Sequence, residues 1–259
     1  MRKPFFQDKM TTLYLGDCRE ILPELEGLES IIVDPVWPNT IVDLPGADRP
    51  ISLFHEMCKA IPRDTERLVV QLGCDSDPRF LKGIPLRWPF LRVCWLDYAC
   101  PSHKGRLLYT GDVAYAYGCP PISIHGRRLI SGMCRSSKLD KLFIRHIKGH
   151  SGGSFTGKYD VDENGINNLL HPTPRRLQHV EWLVRQFSDN AVCDPFLGGG
   201  TTGVAAKKLG RRFVGIEIEE KYLEFSIKRI IRQPVAIQEE LVKVKVKRIR
   251  QPMFEAINV

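Results

Sequence analysis

No apolar run in the 259 residues approaches the roughly 20 residues that a membrane-spanning helix requires. Residues 1–10 also lack the apolar core of a secretory signal. A soluble, cytoplasmic protein without a membrane partner is therefore expected. The eight cysteines form no Cys-x-x-Cys pair. Common zinc patterns are thus missing: Cys94, Cys100, Cys119 and Cys134 make the one conceivable cluster, and no metal site is expected. Free, mostly buried thiols in a reducing compartment are the simpler account. There is no internal repeat. Acids are in short supply, 30 against 38 lysines and arginines, which leaves a net charge of +8 and favours a polyanionic partner. The 43% of hydrophobic residues suffices for a sizeable core.

What is present is most informative over 191–217, AVCDPFLGGGTTGVAAKKLGRRFVGIE. An apolar run over 191–193 ends at Asp194. Three glycines follow, Gly198, Gly199 and Gly200, then a helical segment over 201–209 closed by Gly210, and a second apolar run over 213–216 ending at Glu217. Strand, glycine turn, helix, strand and acid make one half of a doubly wound α/β sheet, with a ligand site at the strand ends. Gly198-x-Gly200-x-x-Gly203 also fits a dinucleotide fingerprint with Glu217 as the ribose acid, so a nicotinamide-dependent oxidoreductase stays open, as does a plain strand-to-helix turn. Two features argue for a different ligand. Asp194 opens the turn with an acid that can hold an ammonium group. Only one helix and a basic tail follow, so the remaining strands must come from the N-terminal part of the chain.

That part supplies them. Strands are predicted over 11–15, 30–33, 67–72, 91–98 and 112–117, the continuous apolar ones suited to a parallel sheet covered on both faces. Helices are predicted over 19–25 and 51–61, a short one from Asp75-Ser76-Asp77-Pro78, and others over 173–187 and 219–231. Thr173 is the expected N-cap of the fourth helix and Pro174 its first residue. Residues 242–250 alternate apolar with basic, as an edge strand or a solvated tail. Asp17, Asp34, Asp194 and Glu217 all fall at C-terminal strand ends, the edge where such sheets bind ligands. Between 118 and 166 periodicity fades, and Arg127, Arg128, Arg135, Lys138, Lys141, Arg145, Lys148 and Lys158 accumulate. This stretch is either a substrate-reading insertion or a solvated basic loop.

Asp34-Pro35-Val36-Trp37 and Asp194-Pro195-Phe196-Leu197-Gly198-Gly199-Gly200-Thr201-Thr202 resemble the catalytic and cofactor motifs of amino-group DNA methyltransferases. Their order is similar to the permuted arrangement of the β-class enzymes: catalytic motif, basic segment, His171-Pro172-Thr173-Pro174-Arg175, cofactor motif. The likeness is close over 11–37 and 171–230, and holds in outline between. It implies a Rossmann-like S-adenosylmethionine-dependent methyltransferase fold of α/β class, circularly permuted, with a mostly parallel sheet and an inserted target-recognition region. The corresponding division is a catalytic half (1–98), the insertion (99–170), a cofactor half (171–235) and a basic tail (236–259).

The resemblance also implies roles. Asp34 and the Pro35 carbonyl would accept hydrogen bonds from the target amino group, and Trp37 would stack on a base rotated out of the duplex. Phe196, Leu197, Gly198 and Gly200 match the loop around the methionine part of S-adenosylmethionine, where Asp34 also borders the cofactor. Asp194 matches the acid near its ammonium, Glu217 the acid on its ribose, and Asp17, beside Cys18, the acceptor for its adenine. Thr201 and Thr202 would cap the helix or touch the cofactor carboxylate. Arg175 stands where lysine is common and would contact that carboxylate or cap the next helix. Val36, Trp37 and Arg176 depart from the usual proline, tyrosine and proline. The implied activity is methylation of the 6-amino group of adenine, to which the aspartate opening the catalytic motif leans. Cytosine 4-amino methylation and a catalytically impaired DNA-binding relative remain alternatives. Double-stranded DNA is the implied partner, with a homodimer and a cognate restriction nuclease as further expectations.

Overall fold

A computed structural model describes residues 2–38, 40, 43–104, 106–120, 131–135 and 175–233, with the backbone alone given for 99–104. Among the described residues nine strands form one sheet: β1 (Phe6–Gln7), β2 (Thr11–Leu15), β3 (Ser30–Val33), β4 (Arg67–Gly73), β5 (Phe90–Lys104), β6 (Leu107–Gly118), β7 (Met133–Cys134), β8 (Ala191–Asp194) and β9 (Arg212–Glu217). Their spatial order is β1-β2-β9-β8-β3-β4-β6-β5-β7. The five central strands, β2-β9-β8-β3-β4, are mutually parallel. β6 joins β4 antiparallel and carries β5 with it. The permuted, mostly parallel α/β sheet expected from the sequence is therefore present: β8 and β9, late in the chain, lie between β2 and β3, which come early.

Strand alternation distributes the core between two faces. Ile31, Val33, Leu68, Val70, Leu72 and Cys193 point to one side, where α1 (Cys18–Ile21) and α2 (Pro50–Ala60) bring Ile21, Phe54 and Met57. Ile32, Val69, Val192 and Phe213 point to the other. There α3 (Leu177–Phe187), α4 (Thr201–Lys208) and α5 (Glu220–Ile231) bring Val180, Val184, Val204 and Leu223. Both faces of β3 and β8 are covered, which is why these strands read as unbroken apolar runs.

Several elements differ from their sequence expectation. The helix predicted over 19–25 is a single turn of α-helix followed by a 3-10 turn over Leu22–Glu24, because Pro23 cannot donate an N–H. The short helix after Asp77 is likewise 3-10, Pro78–Gly83, capped by the Asp77 carboxylate on the Arg79 N–H at 3.0 Å. Helix α3 starts at Leu177: Arg176 is extended and no side chain caps the helix, while His171 to Pro174 lie outside the described residues. Residues 99–104 and 107–118, given to the insertion on sequence, run in β5 and β6 of this sheet. The rest of the basic stretch, apart from 119, 120 and 131–135, and the alternating segment 242–250 lie outside the described residues. Cys18, Cys58, Cys94, Cys134 and Cys193 are buried free thiols, and Cys74 and Cys119 are exposed.

Candidate active site

Strand order reverses between β8 and β3. β8 leads through α4 to β9 on one side, and β3 leads through α2 to β4 on the other. Such a switch point splays the strand ends and opens a crevice. A cavity of about 330 Å³ occupies it, lined by residues from all five parallel strand ends, among them Asp17, Asp34, Trp37, Gln71, Asp194 and Glu217.

The glycine turn forms one wall. Gly198 and Gly200 have φ of 49° and 75°, the left-handed region that side chains disfavour. With the chain so turned, the Gly198 N–H donates to Glu217 Oε2 at 2.7 Å, and the Ile218 and Glu219 N–H groups donate to Oε1, both at 3.0 Å. Glu217 is thereby fixed at the end of β9. Burial raises its carboxyl against the pull of these amides. Asp194, at the end of β8, accepts from the Phe196 N–H at 3.1 Å and from the Thr202 hydroxyl at 2.6 Å. Burial pushes it up to about 7; those two bonds oppose the rise, and the charges of Asp34 and Glu217 add to it.

The opposite wall carries Asp34, which follows β3. Its carboxylate is gripped by Arg175, whose Nε donates to Oδ2 at 2.7 Å and Nη2 to Oδ1 at 2.8 Å. Arg175 Nη1 donates to Asp112 Oδ2 at 3.1 Å, and its guanidinium lies over the Trp37 ring, 4.3 Å from the centroid. Asp112 Oδ1 accepts the Tyr98 hydroxyl at 2.5 Å, and Oδ2 faces the Gln71 amide at 3.5 Å. Burial works against the charge of Arg175, but Asp34 and Asp112 outweigh it and raise its pKa. For Asp34, burial outweighs Arg175 and the carboxyl rises. Burial, then Asp112, raises the Tyr98 hydroxyl too.

The cavity brings together Asp17, Cys18, Asp34, Pro35, Trp37, Arg175, Asp194, Phe196, Leu197, Gly198, Thr201, Thr202 and Glu217; Gly200 sits behind it as the N-cap of α4. Some of them are engaged in ways the sequence did not suggest. Asp17 caps α1 through the Arg19 N–H at 2.9 Å and is paired with the Arg19 guanidinium, which holds its carboxyl below the usual range. Arg19 also pairs with Glu56. Thr202 is bound to Asp194, and α4 has no side-chain cap. Arg175 is committed to Asp34 and Asp112. Buried Cys18, its thiol pushed up to about 12 by burial, behaves as an apolar wall.

Asp112 and Gln71 escaped the sequence analysis. Each leaves a trace: Gln71 interrupts the apolar run of β4, and Asp112 opens that of β6, while both are almost fully buried. A polar side chain inside a covered strand must find a partner. Among the described residues no grouping of His, Cys, Asp and Glu could hold a metal ion, and no helix is long and apolar enough to cross a membrane.

Residues 137–229 match the family model N6_N4_Mtase, described as DNA methylase. Over 105 residues the chain is 37% identical to the type II methyltransferase M.HinfI of Haemophilus influenzae, a stretch that is 40% of this chain and 29% of that one. Over 62 residues it is 44% identical to the type II methyltransferase M2.DpnII of Streptococcus pneumoniae, 23% of each chain. The chain thus spans less than a third of the length of these curated relatives. Among solved structures, the M1.HpyAVI–SAM complex is similar with a TM-score of 0.57 at 18% identity, over 85% of this chain and 99% of that one. The PvuII DNA methyltransferase, described as cytosine-N4-specific, gives 0.56 at 16% identity, over 94% and 93%. At such identities the likeness is one of fold, a largely parallel sheet flanked by helices.

Proposed function

We infer that this chain, which belongs to the N6/N4 family of DNA methylases, moves a methyl group from S-adenosylmethionine to the 6-amino group of adenine in double-stranded DNA. The observation that carries this is the facing of Asp34, at the end of β3, and the Asp194–Gly200 turn, at the end of the adjacent β8, across one cavity.

The residues fit the cofactor electrostatically. Asp194 is a buried carboxylate bonded only to neutral donors among the contacts above, and its raised pKa is that of an acid awaiting a cation. An ammonium group beside it would satisfy the site. Glu217, already oriented by three backbone amides, has lone pairs left for ribose hydroxyls. Asp17 borders the same cavity and would take the adenine amino group as Arg19 turns towards Glu56. When bound, S-adenosylmethionine supplies an electrophilic methyl on a sulfonium.

The chain's own contribution is to present the nucleophile. An exocyclic amino nitrogen is weak because its lone pair is delocalised into the ring. Asp34 and the Pro35 carbonyl accept its two hydrogens and so localise the lone pair towards the cofactor side of the cavity. Trp37 holds the plane of the extruded base. Orientation of this kind supplies the larger part of the rate. The aspartate at position 34 favours adenine as the target. The surroundings proposed for this activity are the cytoplasm, with a homodimer as the assembly and a cognate restriction nuclease as companion.

Transfer of labelled methyl from S-adenosylmethionine to unmodified genomic DNA tests the proposal, followed by digestion to nucleosides and mass analysis. N6-methyladenine is expected. Asp34→Asn should lower transfer by about 100-fold or more while cofactor affinity stays within a few-fold. Methylcytosine alone would overturn the choice of base. Cofactor binding without any transfer would overturn the activity.

A further inference from the structure

The Arg175 guanidinium does, in this structure, what the proposed function asks of a target base. It is planar and lies on the Trp37 ring at 4.3 Å. It presents two N–H groups to the two oxygens of Asp34 at 2.7 and 2.8 Å. An extruded adenine would offer the same ring a flat face and the same carboxylate an amino group. Arginine and base therefore compete for one pair of partners.

The surroundings provide the arginine with a second seat. Nη1 already donates to Asp112 on β6, a carboxylate that is almost fully buried and fixed from its other side by the Tyr98 hydroxyl. Moving wholly onto Asp112 leaves the guanidinium charge paired, so release of Asp34 does not create an uncompensated buried cation. The flanking backbone has no need to move. Arg176 lies over the Tyr98 ring at 4.0 Å, the His179 ring stacks on the same tyrosine at 5.9 Å, and His179 Nε2–H donates to the Asp97 carbonyl at 3.0 Å. These contacts pin the start of α3 to β5 and confine the motion to one side chain.

We propose that Arg175 is a placeholder in the target-base site: it occupies Asp34 and Trp37 while no base is present and turns onto Asp112 when a base enters. This rests on the methyltransferase function above. It makes Arg175 a specificity device, since a base that offers Trp37 no stacking face or Asp34 no amino hydrogen does not displace it. It also lowers the apparent affinity for DNA in proportion to the fraction of molecules whose site is held shut.

Two substitutions with opposite expected signs test this in the full chain. Arg175→Lys keeps the charge but has neither the fork nor the flat face. Asp112→Asn removes the charge of the second seat and leaves Arg175 on Asp34. In labelled-methyl transfer to unmodified genomic DNA at saturating S-adenosylmethionine, the half-saturating DNA concentration should fall about tenfold for Arg175→Lys and rise about tenfold for Asp112→Asn. A purely structural role moves both in the same direction, and that result, or two unchanged values, would overturn the placeholder. A second measurement does not depend on either variant's activity. In wild-type protein with ¹⁵N-labelled arginine, the Arg175 Nε–H signal, assigned by its loss in Arg175→Lys, should shift when duplex DNA and S-adenosylhomocysteine are added together. A signal unmoved at saturation counts against the proposal. Methyl transfer by the wild type is measured first: its absence removes the assigned function and the placeholder with it, whereas its presence without the opposed signs removes the placeholder alone.

Discussion

Under the proposed function, Asp194 is the residue through which the site would sense both cofactor and pH. Burial holds its carboxyl at about 7, well above the roughly 3.9 of an unfolded chain. Between those values the folded protein keeps a proton that the unfolded chain has released. The resulting stabilisation is complete below the unfolded pKa and is lost as pH rises through about 7. An ammonium group placed beside Asp194 favours the ionised form, so cofactor binding near neutral pH should expel a proton. Calorimetry in buffers of different ionisation heat should show this release for the wild type and not for Asp194→Asn. Identical heats in all buffers for the wild type would detach the ammonium from Asp194. At this scale Asp34, Asp194 and Glu217 were legible in the sequence, because each ends an apolar run and two flank a glycine turn. Asp112 was not, because its role depends on a partner 63 residues away.

At the level of elements, the glycine turn works only if α4 lies close to its neighbours. A Cβ on Gly203 would sit 2.4 Å from Ile230 Cδ1 on α5 and 2.7 Å from Phe213 Cε1 on β9, and one on Gly200 would sit 2.6 Å from Ser226 Cβ. Alanine is the better helix former by about 1 kcal/mol, so on propensity alone Gly203→Ala should stabilise α4. Overpacking of this kind costs about 1–3 kcal/mol. We therefore expect a lower melting temperature for Gly203→Ala, read by thermal unfolding, and a rise would mean that α4 stands further from α5 than described. The start of α3 teaches a related lesson. Threonine and proline at 173 and 174 signal a helix start, yet α3 begins at Leu177; Arg176 lies over Tyr98 from extended backbone, and Arg175 just before it reaches Asp34. Local cap signals compete with tertiary partners, and here the contacts of Arg175 and Arg176 hold the residues just before α3.

Across the whole molecule, the two ends of the chain are joined at both edges of the sheet. The C-terminal edge holds the cavity. At the N-terminal edge, Glu29 accepts the N–H groups of Asp189 at 3.0 Å, Asn190 at 2.7 Å and Ala191 at 3.2 Å, and it pairs with buried Arg67. Burial pushes the Glu29 carboxyl up, and the three amides with Arg67 more than reverse it, leaving it lowered. Three segments distant in sequence, around 29, 67 and 189–191, meet at one carboxylate below β3, β4 and β8. Glu29→Gln breaks a largely buried ion pair and weakens three charge-assisted bonds, which should cost about 3 kcal/mol. Hydrogen exchange is the suitable measurement: amides of β3 and β8 should lose protection together and by the same factor. Independent loss in one strand would mean that the two parts of the chain open separately.

The sequence by itself determined the central parallel strands and the acids that end them, because an apolar run closed by an acid and a glycine turn are local patterns set by backbone geometry and burial. It also determined that the N-terminal strands must complete the C-terminal sheet, since two strands cannot cover their own faces. Only the tertiary structure decided which strand ends meet. Pairing of β3 with β8 brings Asp34 and Asp194 to the same crevice, and pairing of Gly73 with Asp112 between β4 and β6 carries Asp112 within reach of Arg175. Register between distant strands is fixed by the sum of many contacts and by no single residue, and so the grip of Arg175 on Asp34 has no signature in the order of the amino acids.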